Sequence, residues 1–67
     1  MKSILKITIS DRLTIKEKLS MRQLLACFAA VYTYIVSDNA ITVTFKEKTT
    51  LKEINIIDKL INIDLNG

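Results

Sequence analysis

The sequence predicts a small two-layer α+β domain of order β-α-β-α over residues 1–67. Three observations carry this: two alternating β-branched runs, a long apolar segment at helical spacing between them, and a capped helical pattern after the second run. An alternative end is a short C-terminal strand, and the two-strand sheet is expected to be completed by dimerisation, because two strands alone bury too little.

The first strand is read over Ser3–Ser10, where Leu5, Ile7 and Ile9 alternate with Lys6, Thr8 and Ser10. Thr14 with Glu17 and Ser20 with Gln23 both have capping-box spacing, so a helix start is written twice. Either one helix runs from about residue 15, or a short first turn precedes a main helix from Met21 to Val36. Met21, Leu24, Leu25, Phe28, Val31, Tyr32 and Ile35 would form its core stripe, with Arg22, Gln23, Ala26, Ala30 and Thr33 opposite. Ser37-Asp38-Asn39 supplies a turn, and Ala40–Lys46 reads as a second strand with Ile41, Val43 and Phe45 on one face. A helix between two neighbouring strands favours a parallel right-handed crossover. Thr50 with Glu53 starts a second helix over 51 to about 61 through Leu51, Ile54, Ile57 and Ile61. Residues 61–65 also alternate as a strand would.

Composition bounds the function. At 67 residues the chain is near the size where one core is only just sufficient. With one cysteine, Cys27, and no histidine, an internal disulfide and the common Cys/His zinc sets are ruled out. Apolar residues make up 49% of the chain, a large load for so small a volume, and association is the remaining way to cover them. The thinly polar side of the expected helix, at Ala26, Ala30, Thr33 and Tyr34, is the predicted oligomer interface. Cys27, set between Ala26 and Phe28, is read as buried filler.

Charge is uneven. Residues 1–23 hold Lys2, Lys6, Arg12, Lys16, Lys18 and Arg22 against Asp11 and Glu17, whereas the rest of the chain has one more acid than base. Arg12, Lys16, Lys18 and Arg22 are therefore a candidate interaction patch, and the alternative function they support is that of a DNA-binding transcriptional regulator. A helix-turn-helix fits poorly, since the segment that would read bases is apolar from Leu24 onward. No aromatic residue is interleaved with the basic ones, as a stacking platform for single strands would need.

Catalysis finds no footing here. Histidine is absent, the carboxylates are scattered beside lysines, and a single terminal glycine excludes glycine-rich phosphate loops. No cofactor and no metal are expected. The uncharged run Leu24–Val36 is thirteen residues, well short of the roughly 20 that a membrane-spanning helix needs, so integral insertion is not expected. The N-terminus alternates lysines with apolar residues and lacks a continuous apolar signal region, from which a cytoplasmic location is expected. These readings converge on a non-enzymatic interaction or regulatory protein of accessory or inhibitor type, binding a larger protein or a second copy of itself.

Overall fold

A computed structural model describes residues 3–66, so that Lys2, counted above in the N-terminal charge, and Gly67 lie outside the described residues. The architecture is α+β: strand β1 (Ile4–Thr8), helix α1 (Ile15–Ala26), strands β2 (Val31–Val36) and β3 (Ala40–Phe45), and helix α2 (Leu51–Asn66). The three strands form one antiparallel sheet in the order β1-β3-β2.

Of the two expected starts the structure takes the earlier, a helix from Ile15, and the expected end at Val36 is corrected. Thr14 is the true N-cap: its Oγ1 accepts from the Glu17 N–H at 3.1 Å, and the Glu17 carboxylate accepts from the Thr14 N–H at 2.9 Å. Such a cap contributes about 1 kcal/mol, and it places the helix start more than a turn before Met21. The second cap spacing, Ser20 with Gln23, falls inside the helix. The helix stops at Ala26, with Cys27 as C-cap, and 31–36 is strand β2.

The physical reason lies in the segment Val-Tyr-Thr-Tyr-Ile-Val. Every side chain in it is β-branched or aromatic, which restricts χ1 in a helix and suits a pleated surface. A neighbouring strand at hairpin distance then satisfies its backbone. The loop Asp38–Asn39 closes that hairpin, with the Ser37 N–H donating to the Ala40 carbonyl at 2.9 Å. A β-bulge at Tyr32 shifts the register between Val31 and Thr33. This bulge is what let an alternating strand look helical: its apolar residues do not keep a strict period of two.

The expected two-strand sheet is thus three strands within one chain, and the order is β-α-β-β-α. The parallel crossover is also revised. The two expected strands, β1 and β3, are neighbours but antiparallel, because the unexpected strand β2 and its hairpin reverse the chain before β3; β1 and β2, the strands joined by α1, are parallel to each other but separated by β3. The C-terminal alternative is overturned as well: residues 61–65 belong to α2. Thr50 and Glu53 cap this helix as their spacing predicts, with Glu53 N–H to Thr50 Oγ1 and Thr50 N–H to Glu53 Oε1 both at 3.3 Å.

Register assigns the two sheet faces. Ile41, Val43 and Phe45 of the central strand point inward, opposite Ile7 and Leu5 of β1 and Val36, Tyr34 and Val31 of β2. Met21 and Leu25 of α1, Ile57 and Ile61 of α2, and Leu13 of the β1–α1 loop close over them in a single cluster. Both helices therefore cover one face. The other face is open: Ile4, Lys6 and Thr8 pair across Thr44, Thr42 and Ala40 from Thr33 and Ile35. No helix among the described residues is long and apolar enough to cross a membrane.

Candidate interaction surfaces

Two features stand out above the fold: a charge cluster at the hairpin tip and apolar side chains left on the surface. The charge cluster is built around Asp38. Arg12 Nη2 lies 2.8 Å from Asp38 Oδ2 and Lys18 Nζ 2.7 Å from Oδ1. The Leu13 N–H also donates to the Asp38 carbonyl at 2.6 Å. One aspartate thus fastens the β2–β3 hairpin to the start of α1, with Leu13 pinned in the core beneath it. The Lys18 bond, then the charge of Arg12, holds the Asp38 carboxyl below the ordinary carboxylate range, and the capping bonds from Thr14 do the same for Glu17.

The basic residues predicted as a patch are consequently of two kinds. Arg12 and Lys18 share Asp38, and the Lys18 side chain is only 23% exposed. Lys16 and Arg22 are exposed on α1, and their separation along the chain puts them about 120° apart around the helix. Asp38 brings Arg12 and Lys18 together, and Arg22 lies one turn beyond Lys18 on α1. Sequence separation hid the contacts that Arg12 and Lys18 make with Asp38.

Since a depressed pKa stabilises the ionised fold, its contribution is complete above the ordinary carboxylate range and disappears as pH falls through the folded-state value. Wild-type protein is expected to lose stability between about pH 5 and pH 2 more steeply than Asp38→Asn, measured as urea midpoints across that range. Parallel profiles for the two proteins would show that Asp38 does not couple protonation to folding.

Ala26, Ala30, Thr33 and Tyr34, predicted as one helical face, are dispersed by the strand. Ala26 ends α1, Ala30 lies in the turn before β2, Thr33 points to the open face of the sheet, and Tyr34 is half-buried against the core. Cys27, expected to be buried, is exposed at the end of α1, where its Sγ–H donates to the Gln23 carbonyl at 3.2 Å.

The exposed apolar residues fall elsewhere. On the sheet they are Ile4 and Ile35, with Tyr32 at the bulge; on α1 they are Ile15 and Leu19. On α2 they form a row. Ile56, Leu60 and Ile63 are 47%, 37% and 66% exposed and recur at spacings of four and three, so they share one side of the helix. Leu51, assigned to the core stripe by spacing, is exposed at the first turn. A mostly apolar groove of about 290 Å³ adjoins the row, lined by Phe28, Ala29 and Ala30 of the α1–β2 turn together with Glu53, Ile56 and Ile57. Near the other end of the row, Ser20 Oγ donates to Asp64 Oδ2 at 3.1 Å and ties α1 to α2. The row was legible in the sequence as a second helical stripe beside Ile54, Ile57 and Ile61, and was masked by the strand-like alternation of 61–65.

A second pocket, of about 230 Å³, lies where the β1–α1 loop meets α2, between Ser10, Asp11 and Glu17 on one side and Asn62 and Leu65 on the other. It is open and mixed in character. Among the described residues there is no group of three or more Cys, Asp or Glu side chains that could hold a metal ion. Comparison with known proteins finds no matching family model, no matching curated protein and no matching solved structure.

Proposed function

We propose that this chain is a small non-enzymatic regulatory protein of accessory or inhibitor type, which acts by binding protein and does so as a homodimer. The observation that carries this reading is the amount of large apolar surface left outside a complete core. Ile15 is 83% exposed, and Ile4, Ile35, Leu51 and Ile63 are each more than half exposed, although the core cluster is fully formed without them. Scattered exposed residues are ordinary on any surface, but an aligned row continuous with an apolar groove is the pattern of an interaction site. The edge strand β2 adds to it. Its six residues carry no charge, whereas β1 has Lys6 at the opposite edge.

This reading places binding on apolar surface, and Asp38 supports that emphasis by holding the largely covered Lys18 side chain in an ion pair. Light scattering on the purified chain at micromolar concentration tests it. The expected mass is that of two chains; a monodisperse, stable monomer overturns the homodimer.

A further inference from the structure

We propose that α2 is the homodimer seam, pairing in parallel with α2 of a second copy along Ile56, Leu60 and Ile63; this rests on the homodimer reading above. The spacings of four and three are those of consecutive d, a and d positions in a heptad, the seam of a two-stranded helical contact. In this register Lys52 and Lys59 occupy g positions along one flank. Asp64 is at e on the opposite flank, where the bond from Ser20 holds its carboxylate.

Charge selects both the occupant and its direction. In a parallel pair, a g residue lies beside the e residue five positions further along the other helix. Lys59 of one chain therefore meets Asp64 of the second copy, and two-fold symmetry makes the contact twice. An antiparallel partner would instead set g beside g and e beside e. In the register that layers Ile56 on Leu60, Lys59 would then face Lys59 of the second copy and the covered Ile57 would face Ile57. The parallel orientation is the one that sets Lys59 beside Asp64, at two symmetry-related places, while Lys52 lies toward Ile57. The seam from Ile56 to Ile63 is only about 10 Å long. The groove at Phe28, Ala29 and Ala30 adjoins its Ile56 end.

The full chain and two variants, Lys59→Glu and Asp64→Lys, distinguish the outcomes by sedimentation equilibrium, with circular dichroism to establish that each variant is folded. Each variant alone is expected to dimerise about ten-fold more weakly, because an attractive pair becomes a repulsive one at two symmetry-related places. An equimolar mixture is expected to recover wild-type affinity as a heterodimer. On one flank the introduced carboxylate at position 59 then faces the introduced ammonium at position 64, and on the other the unchanged Lys59 meets the unchanged Asp64. Unchanged or tighter self-association of Lys59→Glu, or a mixture no tighter than its components, overturns the parallel α2 seam while leaving the homodimer itself standing. A monomeric wild-type chain overturns both.

Discussion

Phe45→Ala is expected to remove about 3–5 kcal/mol of stability, the range for truncating a large aromatic side chain in a packed core. A chain of 67 residues has about 3–10 kcal/mol in total. The substitution therefore takes a third or more of the stability, and at the lower end it leaves no folded population. Phe45 is completely buried on the central strand, paired with Val31 across the sheet, and its own N–H donates to the Ser3 carbonyl at 2.9 Å. It belongs to the one cluster that both helices share, so there is no second core to hold part of the fold. Urea denaturation followed by circular dichroism measures the effect. A loss below about 1 kcal/mol would mean that the sheet does not pack against the helices as described.

The second large effect is a contrast within α2. Ile61→Ala is expected to cost about 2–5 kcal/mol, because Ile61 is fully enclosed by the core, whereas Ile63→Ala should stay within about 0.5 kcal/mol of wild type. In a strand the two isoleucines would behave alike, both facing in or both facing out. In the helix they are about 160° apart, and only the first reaches the sheet. The comparison is made in dilute solution, where association through Ile63 adds nothing to apparent stability. Equal losses at the two positions would return residues 61–65 to a strand.

Local chemistry made much of the architecture legible. The alternation of Leu5 and Ile7 in β1 and of Ile41, Val43 and Phe45 in β3 names the inward residues correctly, because a pleated strand turns its side chains with a fixed period of two. The caps at Thr14 and Thr50 were readable for a similar reason, as their bonds span three residues. The apolar load on a chain this short also pointed to self-association without any surface to inspect, and that expectation continues in the proposal for α2.

The interaction surfaces were less legible, since they depend on which residues remain uncovered after the core is filled. Ile56 and Ile57 are chemically identical neighbours; the core takes one and leaves the other outside. Asp38 looked like any turn aspartate until the hairpin brought it to Arg12 and Lys18.

By itself the sequence determined the α+β class, β1, β3, the start of α2 and the absence of histidine and of an internal disulfide, all properties of short windows or of composition. Only the tertiary structure decided that residues 31–36 form a strand. That segment has an apolar pattern compatible with helix or bulged strand, and the choice rests on a hydrogen-bonded partner, β3, which local spacing does not reveal. With the third strand in place the sheet is wide enough to carry both helices on one face. The outward row on α2, and with it the proposed seam, follows from that packing.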